Sequence, residues 1–71
     1  MIRQPIDSKH LASCGHDPAT GEMEVEFRDG RVYKYSTVPQ NLFDKMMDAK
    51  KPSEFFRKTI KGSKIKFERI K

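Results

Sequence analysis

The chain of 71 residues is 35% apolar and 35% charged, and it carries one cysteine and a formal net charge of +5. This length predicts one small domain that buries roughly 60% of the surface of its unfolded chain. The composition excludes an internal disulfide, since Cys14 has no partner, and no apolar run approaches the ~20 residues of a membrane-spanning helix.

A small domain without disulfides is typical of a reducing compartment. The start of the chain, MIRQPIDSKH, lacks the apolar stretch of a secretory signal. We therefore expect a cytoplasmic protein that makes no membrane contact, and we favour a monomer.

Positive charge is concentrated towards the end of the chain. Residues 1–49 contain 6 basic and 8 acidic side chains, which sum to −2, whereas residues 50–71 contain 9 basic and 2 acidic side chains, which sum to +7. Such asymmetry creates a local field that attracts anionic partners.

The first residues carry no periodic pattern. Residues 1–8 include Pro5, and we expect them to form a flexible N-terminal arm. The segment HLASCGH, residues 10–16, contains few helix signals and leads into DPATG, a cluster of turn-forming residues. We predict that residues 10–16 form the first strand.

The next two segments, EMEVEF and RVYKYS, predict a β-hairpin with two competing registers. A two-residue loop, Asp29-Gly30, mixes charged and apolar residues on both faces. A three-residue loop, residues 28–30 with Gly30 left-handed, makes one face apolar and is the predicted register. It pairs Val25 with Tyr33, Met23 with Tyr35, and Glu24 with Lys34 as an opposed charge pair.

Two helices are predicted after this hairpin. Pro39 suits a first helical turn, and the apolar residues of PQNLFDKMMDAKK recur with helical spacing until Pro52 ends the helix. Ser53 is the predicted cap of a second helix that ends at Gly62. In that helix Phe56 and Ile60 face the core, while Arg57, Lys58 and Lys61 face outward.

The final segment, SKIKFERIK, alternates again and predicts a terminal strand whose Ile65 and Phe67 close the core. The order of elements predicts an α+β fold: a small antiparallel sheet, made of a hairpin meander and a terminal strand, with two short helices packed on one face. Residues 9–71 are the predicted single domain.

Several landmarks between residues 8 and 70 occur together. They are Leu11, Gly15, Asp17, EVEFRDG, VYKYSTVP, the Phe55-Phe56 pair with Ile60, and Phe67. A VYxYxxVP element followed ~15 residues later by an aromatic pair is a specific combination. In these features the chain resembles the KTSC domain, named for the C-terminus of some lysyl-tRNA synthetases and also found as small free-standing bacterial and phage proteins.

The resemblance implies the fold more strongly than any chemistry. His16 and Phe55 stand where the family usually has tyrosine, and Arg57 stands where it has asparagine. The family implies no catalytic activity, and its attachment to a tRNA-charging enzyme suggests contact with nucleic acid.

A basic surface is the main candidate site. We predict that side chains of the late segment contact a polyanion, with nucleic acid favoured and RNA above DNA. The predicted residues are Lys50, Lys51, Phe55, Arg57, Lys58, Lys61, Lys64, Lys66 and Arg69. The alternative is a protein-interaction or regulatory module that docks an acidic partner. A solvated lysine-rich surface without a ligand fits the same residues.

Aromatic rings offer stacking platforms for bases, but a domain this small needs most of its rings for the core. Phe55 is the exception, because it lies beside core-facing Phe56 and next to Arg57 and Lys58. We expect Phe55 to be the aromatic residue that is partly exposed.

Catalysis and metal binding find little support. His10, Cys14 and His16 share one face of a regular strand, but no second cluster completes a tetrahedral metal site, and no orienting group completes a nucleophile dyad. We interpret them as part of a polar edge strand with a buried thiol, and we expect no enzyme, no cofactor and no metal.

Overall fold

The structure, a computed structural model, describes residues 3–62 and 64–71. It is an antiparallel sheet of five strands in the order β1-β2-β3-β4-β5, with helices on one face, as the α+β prediction requires. The strands are β1 (Gln4–Pro5), β2 (Leu11–Asp17), β3 (Glu22–Phe27), β4 (Val32–Tyr35) and β5 (Phe67–Arg69). The helices are α1 (Gln40–Asp48) and α2 (Pro52–Phe55), which continues as a π-helical segment, Phe56–Lys61. Among the described residues, no helix has the length and apolarity that crossing a membrane requires.

The β3–β4 hairpin has the predicted three-residue loop. Its register pairs Met23 with Tyr35, Glu24 with Lys34, and Val25 with Tyr33. Gly30 has a φ of +96°, and its N–H donates to the carbonyl of Phe27 at 3.0 Å. The predicted Glu24–Lys34 charge pair is wrong in detail. The ammonium of Lys34 lies 3.3 Å from Glu22, diagonally across on β3, and 3.4 Å from Glu68, directly opposite on β5.

The segment predicted as an N-terminal arm contributes to the sheet. β1 pairs with β2, and the N–H of Ile6 donates to the carbonyl of Ala12 at 3.0 Å. Ile6 is buried in the core. Since β1 covers one side of β2 and β3 the other, β2 lies inside the sheet, and its interpretation as an edge strand is wrong.

The core lies between the sheet and the helices. The register places Met23, Val25 and Cys14 on the face that the helices cover, where Phe56 and Ile60 meet them as predicted. Its buried cluster is Ile6, Leu11, Cys14, Met23, Val25, Tyr35, Val38, Phe43, Met46, Phe56 and Ile60.

Both helix starts differ from the prediction by a residue or two. Pro39 is the N-cap of α1 and precedes its first helical residue. In α2 Lys51 is the N-cap and Pro52 is the first helical residue, without a capping hydrogen bond from a side chain. Ser53 therefore lies inside the helix and does not cap it. Proline suits the first helical position because its missing N–H has no partner there in any case.

The terminal strand is shorter and more exposed than predicted. β5 comprises only three residues, and its Phe67 is 61% exposed. The prediction that Phe67 closes the core is wrong, because β5 forms the edge of the sheet and Phe56 already covers the neighbouring Tyr35 at 5.4 Å between ring centroids. Ile65, the other predicted core residue, is half-buried against the cluster.

Candidate functional site

A groove of about 760 Å³ runs between α2 with its π-helical continuation, the tip of the β3–β4 hairpin and the segment before β2. We name it the basic groove, because seven exposed cations and only three acids line it. The cations are Lys9, Arg28, Arg31, Lys50, Lys51, Arg57 and Lys61; the acids are Asp7, Asp29 and Glu54. The apolar floor includes Phe27 and Phe56.

Two of the three acids are already engaged by cations. Asp29 accepts hydrogen bonds from the backbone N–H of Arg31 at 3.1 Å and from its Nε at 2.7 Å. The backbone bond is the main reason that the pKa of Asp29 lies below its ordinary value. Glu54 lies 2.9 Å from the ammonium of Lys58, whose hydrogen bond lowers the pKa of that carboxyl. Both acids therefore stay ionised and largely compensated at neutral pH.

Five groove cations are neither ion-paired nor hydrogen-bonded through their charged groups within the described residues, and we call these five uncompensated. Arg31 pairs with Asp29, and Arg28 donates to the carbonyls of Ile6 and Ser8 at 3.1 Å each. Within residues 3–62 and 64–71, the others form no ion pair; they are Lys9, Lys50, Lys51, Arg57 and Lys61. Cations of one sign along an open groove create a field that attracts anions.

The opposite face of the sheet carries the acids. Glu22, Glu24 and Glu26 alternate with core residues along β3, so they project away from the helices. Lys34 and Arg3 pair with two of them. An approaching polyanion therefore meets positive charge on the helical side and negative charge on the open sheet face.

The eight predicted basic site residues fall into three groups. Lys50, Lys51, Arg57 and Lys61 line the basic groove. Lys58 lies beside it, held by Glu54. The exposed side chains of the C-terminal segment lie outside the groove; they are Lys64, Lys66 and Arg69.

Three groove cations were not predicted from the sequence. Lys9, Arg28 and Arg31 belong to the half of the chain whose formal charge sums to −2, so the net charge of that half concealed them. The tip of the β3–β4 hairpin brings Arg28 and Arg31 to the groove, and the segment before β2 brings Lys9. A usable signal was present at Arg28 and Arg31, because they flank a predicted hairpin loop and loop tips are exposed.

Aromatic rings extend from the groove to the edge of the sheet. Phe27 and Phe56 contact each other at 5.9 Å between centroids, and the guanidinium of Arg31 lies 5.7 Å above Phe27. Phe55 is half-buried against the core, whereas Phe67 on β5 is exposed. Phe55 is therefore partly exposed, as expected, but Phe67 is the more exposed ring.

Of the residues considered for metal or nucleophilic chemistry, Cys14 and His16 lie on the same face of β2, whereas His10 is exposed before that strand. Cys14 is fully buried, and burial raises the pKa of its thiol to about 12. His16 stacks on Phe43, its Nε2 donates to the carbonyl of Val38 at 2.6 Å, and its Nδ1 lies 3.1 Å from Oε1 of Gln40. The imidazole is thus held by the ring of Phe43 and by its hydrogen bond to Val38. Within the part of the chain that the structure describes, no group of three His, Cys, Asp or Glu is arranged to hold a metal ion.

Comparison with known proteins gives a consistent result. The family model described as KTSC domain matches residues 7–64. A crystal structure of a KTSC domain protein from Yersinia pestis superposes with a TM-score of 0.92 at 34% identity, and the match covers 99% of this chain and 97% of that one.

Two relatives differ in their size. A protein of Stutzerimonas stutzeri strain A1501 is 31% identical over 70 residues, which is 99% of either chain. A lysine–tRNA ligase of Nostoc sp. is 31% identical over 64 residues, which is 90% of this chain but 11% of the ligase. The same domain is therefore similar both to a protein of its own length and to a small part of a large enzyme.

Proposed function

Because this chain belongs to the KTSC domain family, we propose that it is a non-catalytic binding module that contacts nucleic acid, RNA above DNA, through the basic groove. The excess of cations in that groove is the observation that carries the proposal. Phosphates are the anions that such a groove suits best, because each contact releases condensed counterions and so gains free energy.

The preference for RNA rests on a relative. The similar segment of the Nostoc protein is part of a lysine–tRNA ligase, an enzyme named for its RNA substrate. A small domain appended to such an enzyme gains from a second contact with the same RNA, since tethering raises the effective concentration of the bound partner.

The non-catalytic part rests on the state of the reactive side chains. A nucleophilic cysteine must be accessible and ionised, and Cys14 is fully buried with a pKa raised to about 12. His16 is held by its hydrogen bond to Val38 and its stacking on Phe43. The accessible groups of the basic groove are chiefly ammonium and guanidinium groups, which bind anions.

A fluorescence anisotropy titration with a labelled single-stranded RNA and a labelled duplex tests the proposal. The variant Lys51→Glu/Lys61→Glu reverses two uncompensated groove charges, and Lys45→Glu on α1 is the matched control, because Lys45 is exposed but does not line the groove. The slope of log K against log salt is negative for such binding. We expect the double variant to reduce the magnitude of this slope by at least about 1.4 for a single strand, and the control to leave the slope unchanged.

An acidic protein partner is the competing outcome of that titration. Polyglutamate supplies the same negative charge without phosphates or bases. Tight binding of polyglutamate together with no binding of either nucleic acid would overturn the proposal. Equal loss of binding free energy per reversed charge in the groove variant and in Lys45→Glu would also contradict it, because the effect would then follow net charge and not the groove.

A further inference from the structure

Phe67 on β5 is exposed but held in place. Its exposed fraction is 61%, although phenylalanine is normally among the most buried residue types. Its ring stacks on Tyr35 with centroids 5.4 Å apart and planes at 29°, and it meets Tyr33 edge-to-face at 6.0 Å. Two neighbouring rings therefore orient Phe67, while much of its surface faces solvent.

The exposed ring is continuous with the basic groove. Tyr35 contacts Phe56 at 5.4 Å, and Tyr33 contacts Phe27 at 5.6 Å. Phe56 and Phe27 belong to the groove floor. A single ring thus separates Phe67 from the groove along either path, the buried Tyr35 or the half-buried Tyr33, so a strand of nucleic acid in the groove needs only a short extension to reach it.

The charge around Phe67 also favours a nucleic acid. Arg69 lies opposite Tyr33 in the register of β4 and β5, which places it on the same face of the sheet as Phe67. Glu68 alternates to the other face, where Lys34 holds its carboxylate at 3.4 Å. Lys66 precedes the strand and is exposed. Arg69 is therefore the cation of β5 that shares the face of the ring, and the nearest acid in the strand points away.

We propose that Phe67 is a stacking platform for an unpaired base, so that the nucleic acid bound by the basic groove is single-stranded where it crosses β5. This inference rests on the proposed function. An exposed aromatic face beside cations matches single-stranded recognition, in which bases stack on rings while lysine and arginine follow the backbone. The bases of a continuous duplex are stacked on each other and offer no free face.

A tryptophan at this position reports stacking directly. The chain contains no tryptophan, so Phe67→Trp introduces a single fluorophore at the platform. A short single strand of uridines and an abasic strand of the same length carry the same phosphates but differ in their bases. We expect the uridine strand to quench the tryptophan emission and the abasic strand to leave it unchanged.

The affinities of two further variants for these strands distinguish the contribution of the Phe67 ring from that of its apolar surroundings. Phe67→Ala should weaken binding of the uridine strand by about 5- to 150-fold, the range that loss of one base–aromatic stack produces, and should leave the abasic strand unaffected. Ile70→Ala is the matched control, because Ile70 is 46% exposed next to β5 but has no ring. It should bind both strands like the wild type.

The outcomes distinguish this inference from the proposed function. If Lys51→Glu/Lys61→Glu loses affinity but Phe67→Ala does not, the platform is wrong and the groove stands. Equal quenching by the two strands also overturns the platform, since phosphates alone then explain the signal. If the wild type binds neither strand at low salt, the proposed function is wrong, and this inference, which rests on it, is wrong as well.

Discussion

Replacing Gly30 with alanine should destabilise the domain by about 1–2 kcal/mol through backbone conformation alone. Gly30 adopts a φ of +96°, a backbone conformation that L-amino acids with a side chain rarely adopt. A Cβ built there meets no heavy atom within 4 Å, so crowding contributes nothing to the loss. For a chain of this length, total stability is roughly 4–11 kcal/mol, which makes the expected loss a large fraction.

Urea unfolding followed by far-UV circular dichroism measures this loss. With an m-value near 1 kcal/mol/M, the midpoint should fall by about 1–2 M, and the melting temperature by about 4–16 °C. Gly30→Asn should lose less, because asparagine tolerates a positive φ better than alanine does. Both variants keep the loop length, so the register of the hairpin is unchanged.

D-Alanine at position 30 is the decisive control, and a chain of 71 residues is within reach of chemical synthesis. D-Alanine favours positive φ and adds the same methyl group, so we expect it to be at least as stable as the wild type. Equal destabilisation by the two mirror-image alanines would refute the explanation, because the loss would then come from the methyl group and not from the backbone.

Three further experiments test the pH dependence of stability, the accessibility of the Cys14 thiol, and the burial of Phe56 and Phe67. The pKa of Asp29 in the folded chain lies below its ordinary 3.8, so ionised Asp29 stabilises the fold above that pH, and this contribution is lost as the pH falls below it. The urea midpoint of Asp29→Asn should therefore fall less on acidification than that of the wild type. Cys14 should react with Ellman's reagent only as fast as the chain unfolds, because its thiol is buried and its pKa is raised to about 12. Phe56→Ala should cost about 3–5 kcal/mol in urea unfolding and Phe67→Ala under about 1, and equal losses would contradict their assigned burial.

The hairpin was predictable because two independent signals agree there. Strict alternation in EMEVEF defines two faces, and among the loop lengths considered only three residues bring Tyr33 opposite Val25 and Tyr35 opposite Met23. A change of one residue in the register would move a whole strand to the other face, so the apolar pattern constrains it strongly. The burial of Phe56 and Ile60 followed from helical spacing in the same way.

The ends of the chain were less predictable. β1 has only two residues and includes Pro5, so it carries no periodic signal, yet Ile6 beside it enters the core. At β5 the alternation was read correctly, and Phe67 does lie on the helical face of the sheet. Alternation does not reveal how far the helices extend over that face, and at the edge strand Phe67 stays exposed.

The basic groove needed the tertiary structure. Four of its cations belong to the run that the sequence singled out, but Lys9, Arg28 and Arg31 come from elsewhere in the chain. The net charge of a segment does not show on which surface of the folded domain each of its side chains lies. The late cations themselves divide, since Arg69 lies on β5, away from the groove lining.

The salt dependence of binding tests the central claim most directly. If the five uncompensated groove cations each contact a phosphate, the affinity of the wild type for a single-stranded RNA should fall with a slope of about −3.5 in log K against log salt, or roughly 100-fold between 50 and 200 mM salt. Absence of binding to RNA and DNA at 50 mM salt, where such contacts are strong, would contradict the account. So would an affinity that does not change over this range.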